Sequence, residues 1–332
     1  MIRWLAGRIV TMMLTLLVIS ALIFIIIQLP PGDYLTSYIA EIQAQGEKVT
    51  ADKIAFLREQ YGLDKPLWQQ YLLWVTGLLH GDLGYSFEYN QPVADVVGER
   101  MPLTLLLNAA TVVFVYLVSF PIGIYSATHQ YSWSDHGLSF LGFLGLATPN
   151  FLLALILLYL ANVWFGTSIG GLMGPEYIDA PWTLAKVGSV LSHLWVPVLV
   201  IGTAGTAGMI RRLRANLLDE LNRQYVVTAR AKGLSERRLL FKYPLRMALN
   251  PFIADLGSIL PQIVSGSVII SAVMSLPTTG PMLLSSLRSQ DMYLAGSFLM
   301  FLAVLTVVGM FVSDLLLAAL DPRIRLGVRA AR

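Results

Sequence analysis

The sequence predicts an all-α polytopic membrane protein with six transmembrane helices. Of its 332 residues, 56% are hydrophobic and only 13% are charged, and the mean hydropathy is +0.66. Soluble domains carry about 25% charged residues, so a water-soluble globule of this length is excluded. Stretches without Asp, Glu, Lys or Arg recur along the chain, and a helix of about 20 such residues spans the bilayer core.

The spans follow from these uncharged stretches, taken in chain order. The first apolar run is too long for a signal peptide, whose apolar region has about 7–15 residues, and it predicts a retained helix. The third is expected to bend at Pro149, and the fifth ends before the turn at 276–281. The predicted spans are 9–32 with an apolar part ending near Leu29, 104–124, 138–165, 194–210, a segment of 256–287 ending near Ser275, and 292–313.

Orientation follows from the lysine and arginine residues, which favour cytoplasmic loops. With a cytoplasmic N-terminus and six crossings, 16 of the 23 basic residues lie inside and 7 lie outside. The mirror orientation reverses this asymmetry. The sequence therefore predicts that both termini are cytoplasmic (N-in/C-in) and that residues 1–332 form one transmembrane domain in the plasma membrane.

The external loop at 30–100 is too long for a simple connector. It contains a helical pattern at 51–61, which Thr50 can cap, and a second one at 67–79. The second pattern carries Trp68, Tyr71 and Trp74 on one face. Such an aromatic stripe is typical of a membrane-interface belt, and contact with a substrate is the alternative.

The cytoplasmic loop at 211–250 carries ten basic and three acidic residues. Helical patterns cover 212–222 and 224–232, and Gly233 stands where a helix ends in a left-handed residue. Ser235 can cap the next helix, with Glu236 in its first turn. The loop is thus either a helix–turn–helix that docks a partner or a set of charges that only enforces topology.

Resemblance to a known family is carried by the segment Tyr225-Val226-Val227-Thr228-Ala229-Arg230-Ala231-Lys232-Gly233-Leu234. It resembles the EAA loop of ABC-importer permeases, and in particular the B-type transmembrane subunit of the dipeptide/oligopeptide family. Other motifs follow in that family's order: Pro31-Gly32-Asp33, Gly81-Asp82-Leu83-Gly84-Tyr85-Ser86, Thr148-Pro149-Asn150-Phe151, Asp314 and Asp321-Pro322-Arg323-Ile324-Arg325.

Departures from the family pattern indicate a divergent branch. Ser271 stands where relatives often have Glu, the turn after it reads Pro277-Thr278-Thr279-Gly280, and Tyr243-Pro244 replaces a common His-Ala pair. Relatives of these permeases carry peptides, oligosaccharides, opines or nickel. Nickel is the least expected substrate, because the spans contain no cluster of His or acidic residues.

The resemblance implies the type I ABC-importer permease architecture and binding-protein-dependent import of peptides or a similar small solute. Expected partners are a homologous second permease subunit, two cytoplasmic ATPase subunits, an extracytoplasmic solute-binding protein and membrane lipid. Binding of nucleic acid is not expected. ATP and Mg would bind the ATPase subunits, and this chain would bind no cofactor. The expected coupling residues are Tyr225, Thr228, Ala229, Arg230, Ala231, Lys232 and Gly233. The expected substrate-path residues are Thr148, Asn150, Phe151, Gln262, Ser265 and Ser271.

Other chemistries find little support in the residues. The chain has no cysteine and four histidines, and it lacks the G-x-x-x-x-G-K-[ST] phosphate loop, so neither a metal site nor a catalytic site is predicted. A proton- or sodium-coupled carrier is an alternative, but such carriers hold ionisable residues near mid-membrane, and the predicted spans do not. A membrane assembly factor is the remaining alternative. Asp255 and Asp314 lie near span ends, where pairing with arginine is expected.

Overall fold

The structure is a computed structural model that describes residues 2–30, 64–166, 169–178, 180–255 and 268–320, together with Leu35, Thr36, Ile39 and Ile259. Several expectations lie outside these residues: the helix at 51–61 with Thr50, the motif at 31–33, Gln262, Ser265 and the motif at 321–325.

The described part of the chain is mostly helical, with one very short antiparallel hairpin and one 3-10 turn at Pro175–Tyr177. Its helices and strands are, in chain order, α1 Ile2–Gln28, α2 Leu67–Leu79, β1 Tyr85–Ser86, β2 Gln91–Pro92, α3 Val93–Thr128, α4 Trp133–Ala147, α5 Asn150–Phe165, α6 Leu184–Leu221, α7 Gln224–Ala231, α8 Glu236–Lys242, α9 Pro244–Ala248, α10 Asn250–Ala254, α11 Val268–Val273, α12 Thr279–Arg288 and α13 Met292–Leu320.

In the described part of the chain, the helices that could cross a membrane lie at the predicted stretches. Four helices there (α1, α3, α6 and α13) are long and apolar enough to cross a membrane, and the pair α4–α5 makes five if it counts as one span. That pair is bent by 94° at Thr148 and Pro149, so the predicted bend at Pro149 is confirmed. The predicted fifth span lies largely outside the described residues, which include its short helix α11.

Two of the spans extend well beyond their predicted limits. Helix α3 begins at Val93, and α6 runs from Leu184 to Leu221 through the basic residues that follow the apolar stretch. Hydropathy marks only the apolar part of a helix, whereas backbone hydrogen bonding continues into water wherever the residues favour helix.

The contacts divide the chain into two compact units, residues 1–102 with 278–332 and residues 103–277. In the first unit α1 packs along α13, and α2 packs against α1. Trp74 of α2 is 2% exposed and its indole Nε1 donates to Ser297 Oγ at 3.1 Å. The predicted helix at 67–79 is therefore confirmed, but Trp74 belongs to the core, and the membrane-belt interpretation is wrong for it. Trp68, which is exposed, still fits a belt.

The hairpin of this unit is fixed to the start of α13 by buried Asp291. Its carboxylate accepts hydrogen bonds from Ser86 Oγ at 2.6 Å and from the backbone N–H of Glu88 at 3.1 Å. Gly84 has φ +84°, and a Cβ there would collide with the Tyr293 ring. The motif at 81–86 thus shapes a close backbone contact with α13.

The second unit is built around α6. Helix α4 packs along it, and the glycines of α4 allow close approach, with the Gly145 backbone facing Thr203. An apolar core formed with α5 and α11 includes Ala154, Val200 and Met274, and a second core near the end of α6 includes Leu213 and Leu217. The loop at 211–250 belongs entirely to this unit.

Candidate functional site

The segment at 224–242, which holds the residues expected to couple and is called the coupling segment below, is a helix, a glycine turn and a second helix. Helix α7 ends at Ala231 and α8 begins at Glu236. Gly233 has φ +80°, and its N–H donates to Arg230 O at 3.0 Å, which closes the end of α7. The predicted left-handed glycine is confirmed. Ser235 occupies the N-cap position of α8, but its side chain makes no cap hydrogen bond, so that part of the prediction is wrong.

The segment has a small apolar core of its own. Val226 and Ala229 of α7 and Leu239 of α8 are buried together, and Leu234 and Tyr243 pack against them. Ala229 is 7% exposed, so it supports the contact between α7 and α8. Ala229, one of the expected coupling residues, therefore faces the inside of the segment, and a role in coupling through direct contact with a partner stays a prediction. Ala229 lies on the face of α7 that packs against α8, so a partner that docks on the opposite face of α7 does not reach it.

The outer face of the coupling segment is exposed and largely polar, apart from Val227 and Phe241, and an ion pair stiffens it. Arg230 donates to Glu236 in a bidentate contact, with Nε–Oε1 at 2.7 Å and Nη2–Oε2 at 3.1 Å. Hydrogen bonding to this guanidinium lowers the pKa of Glu236. This ion pair bridges the Gly233 turn. Its two residues are six positions apart, a spacing that brings no side chains together within one helix, so the sequence alone did not predict the pair. The exposed residues expected to couple are Tyr225, Thr228, Arg230, Ala231, Lys232 and Gly233.

Tyr225 connects the coupling segment to the end of α6. Its hydroxyl donates to the carboxylate of Glu220. Partial burial, together with this carboxylate, raises the pKa of Tyr225 to about 12. The phenol therefore stays protonated and remains a donor at physiological pH.

Four of the six substrate-path candidates lie in the described part of the chain. Thr148, Asn150 and Phe151 lie together at the break between α4 and α5. The Thr148 hydroxyl donates to Leu144 O at 2.9 Å, and Phe151 is exposed. Ser271 is buried in α11 at 2% exposure. Three candidates thus meet because they are close in sequence, and nothing tests their contact with a substrate, which stays a prediction, as it does for Ser271.

Sequence analysis did not find the buried ion pair between α4 and α6. Asp135 is 3% exposed, and its two oxygens accept from Arg214 Nε at 2.9 Å and Nη2 at 2.7 Å. Ser126 Oγ and the Tyr131 N–H, at 3.0 Å, also donate to this carboxylate. The only signal was an isolated acid interrupting a long apolar stretch. The pair holds α4 to α6 about two turns before the loop that leads to α7.

The two predicted acid pairings near span ends are confirmed. Asp314 contacts Arg8 at 2.5 Å, and Asp255 contacts Arg212 at 2.5 Å. Arg8 and Asp314 join α1 to α13, and Arg212 joins α6 to the residue that follows α10, so these acids are structural. Among the described residues, no group of three or more His, Asp or Glu could hold a metal ion.

Comparison with known proteins decides which family this architecture belongs to. Residues 119–326 match the family described as the binding-protein-dependent transport system inner membrane component. Residues 1–108 match the N-terminal part of such membrane components. The chain belongs to this permease family.

Individual permeases are similar over nearly the whole chain. The oligopeptide transport system permease protein AppB of Bacillus subtilis is 37% identical over 93% of this chain and 95% of that protein. The dipeptide transport system permease protein DppB of Lactococcus lactis is 31% identical over 98% of this chain and 100% of that protein. The nickel import system permease protein NikB of Staphylococcus aureus is 30% identical over 96% of this chain and 90% of that protein.

Membership in the permease family establishes the general role of the chain. It is a membrane subunit of an ABC importer in the inner membrane, and it works with a solute-binding protein. ATP hydrolysis belongs to separate subunits, so this permease is not itself an enzyme.

Proposed function

We propose that this permease forms half of a translocation path for peptides and receives its driving force through the coupling segment. In this proposal it pairs with a homologous second permease, two ATPase subunits dock from the cytoplasm, and the solute-binding protein docks from outside. The mass of the purified complex tests this stoichiometry.

The coupling assignment rests on one observation: the coupling segment has a buried inner face and an exposed outer face. The inner face has its own apolar core, and the Arg230–Glu236 pair stiffens the outer one. A lever must keep its shape when a partner pushes on it. A loop whose charges served only topology would need neither a core nor a left-handed glycine.

The two alanines of α7 offer a matched test of this assignment, since Ala229 is buried and Ala231 is exposed. The chain has no cysteine, so single-cysteine variants label at one position only. A photo-crosslinker on Ala231→Cys should capture an ATPase subunit of the assembled transporter, whereas one on Ala229→Cys should react poorly and capture little. Equal capture from both, or none from Ala231→Cys, contradicts the assignment.

The orientation proposed here is six helices with both termini in the cytoplasm. Its support is the asymmetry of 16 basic residues inside against 7 outside. The ten basic residues of the loop at 211–250 contribute most to it.

Reporter fusions test this topology directly. Alkaline phosphatase fused after Lys48 should be active, because that enzyme needs the oxidising exterior. The same reporter fused after Leu234 should be inactive, and a fluorescent protein there should fold and emit. Activity of both phosphatase fusions would reject the topology.

Peptides are the substrate class proposed here, because several similar permeases are named for oligopeptide or dipeptide transport. The break at Thr148 and Pro149 supports it physically. A helix that begins inside a membrane span offers N–H groups without intrahelical acceptors, which favour a carboxylate such as a peptide C-terminus. Uptake of a labelled tripeptide into proteoliposomes holding the assembled importer, undiminished by nickel ions, is expected. Uptake of nickel without uptake of peptide would reject this class.

A further inference from the structure

A cleft of about 1020 Å³ opens between the end of α3 and the helix α8. One wall is the last two turns of α3, from Phe120 to Thr128, and the other is formed by Arg237, Leu240 and Phe241 of α8. All of these residues belong to the second unit, so the cleft is formed within a single compact body. Its α8 wall and Arg230 belong to the coupling segment, but the cleft itself has no assigned role in coupling or in the substrate path.

The α3 wall of the cleft changes from apolar at one end to polar at the other. Its deep end is apolar, with Phe120, Pro121 and Ile124, and its outer end is polar, with Tyr125 and Thr128. Eight residues of helix separate Phe120 from Thr128, which is about 12 Å at 1.5 Å per residue. The deep end therefore lies toward the apolar part of α3, a helix that is long and apolar enough to span a membrane.

The outer end of the cleft carries positive charge. Arg230 and Glu236 both line it, but they neutralise each other in their bidentate pair. Arg237 also lines it, is exposed, and takes part in no ion pair found among the described residues. Phe241, 60% exposed, and Tyr125, 43% exposed, flank this end as aromatic residues do at a membrane interface.

We propose that this cleft binds an anionic phospholipid, with an acyl chain against Phe120, Pro121 and Ile124 and the phosphate beside Arg237. Guanidinium groups bind phosphate oxygens in a bidentate manner, and basic pockets between membrane helices hold anionic headgroups. The deep end is lined by apolar residues of a helix long and apolar enough to span a membrane, and these suit an acyl chain better than the polar surface of a cytoplasmic ATPase. The leaflet concerned follows from the proposed topology, but the site itself does not depend on it.

Lipid retention by the whole transporter tests the proposal. The purified complex of permease and ATPase subunits is equilibrated with phosphatidylglycerol and phosphatidylcholine of identical acyl chains, at equal concentrations, and bound lipid is counted by native mass spectrometry. Arg237→Gln should lower the ratio of bound phosphatidylglycerol to phosphatidylcholine about fivefold, the usual effect of one basic residue at a lipid surface. Phe241→Ser should lower retention of both lipids.

Arg238→Gln is the matched control, since Arg238 is the exposed neighbour on the same helix and does not line the cleft. It should leave the lipid ratio unchanged. The proposal is overturned if the wild type holds both lipids equally, if Arg238→Gln lowers the ratio as much as Arg237→Gln, or if inorganic phosphate displaces phosphatidylglycerol. The coupling assignment is tested separately at Ala231 and Gly233, which do not line the cleft, so failure of the lipid site and failure of the coupling assignment give different results.

Discussion

Replacing Gly233 with valine is expected to abolish solute uptake while leaving the membrane abundance of the permease near normal. Gly233 has φ +80°, a conformation that strains a β-branched residue by about 1–3 kcal/mol. That cost shifts the equilibrium between the formed and opened turn about 5- to 150-fold. The open turn separates α7 from α8 and breaks the face on which an ATPase would dock. Uptake, solute-stimulated ATP hydrolysis and copurification of the ATPase subunits should fall together.

The matched control is Gly233→Asn, because asparagine adopts positive φ more readily than other residues that have side chains. No atom lies within 4 Å of a Cβ built at Gly233, so added bulk alone causes no clash. Uptake by the asparagine variant should stay close to that of the wild type. Neither variant changes charge, so a loop that served only topology would tolerate both. If Gly233→Val takes up solute at the wild-type rate, the coupling assignment is wrong and the charges of the segment serve only topology.

Asp135→Leu is expected to lower the free energy of unfolding of the permease by about 3 kcal/mol, because it leaves a largely buried arginine without its partner. Arg214 is 25% exposed along its side chain, against 4% for Asp135. The variant also removes the acceptor used by Ser126 and by the Tyr131 N–H. Titration of the purified protein from mild detergent into SDS measures the loss, and membrane abundance should fall with it.

Two further variants separate this effect from general damage. The double variant Asp135→Leu/Arg214→Met removes both charges and should recover much of the lost stability, since an apolar pair replaces a buried ion pair at little cost. Asp314→Leu breaks the more exposed pair with Arg8, whose side chains are 44% and 30% exposed, and should cost less than about 1 kcal/mol. Equal losses from Asp314→Leu and Asp135→Leu would contradict the assigned role of burial.

Composition and local pattern alone predicted the class of this protein and the form of its coupling segment. Long apolar stretches predicted the membrane spans that the structure describes, because the cost of burying charge in lipid acts on each residue separately. The helix at 67–79 and the Gly233 turn were predictable because neighbouring residues set them. The Thr-Pro at 148–149 predicted the place of the bend, but its angle of 94° depends on what α4 and α5 pack against.

Only the tertiary structure decided which side chains meet. Asp135 pairs with Arg214, 79 residues away, and Trp74 bonds to Ser297, 223 residues away, and no local pattern encodes such contacts. The inward position of Ala229 and the pairing of Arg230 with Glu236 depend on how α7 and α8 fold back on each other about Gly233. The lipid cleft likewise exists only because α8 lies beside the end of α3. Sequence periodicity fixes the faces of one helix, whereas the neighbour that each face meets depends on the packing of the whole unit.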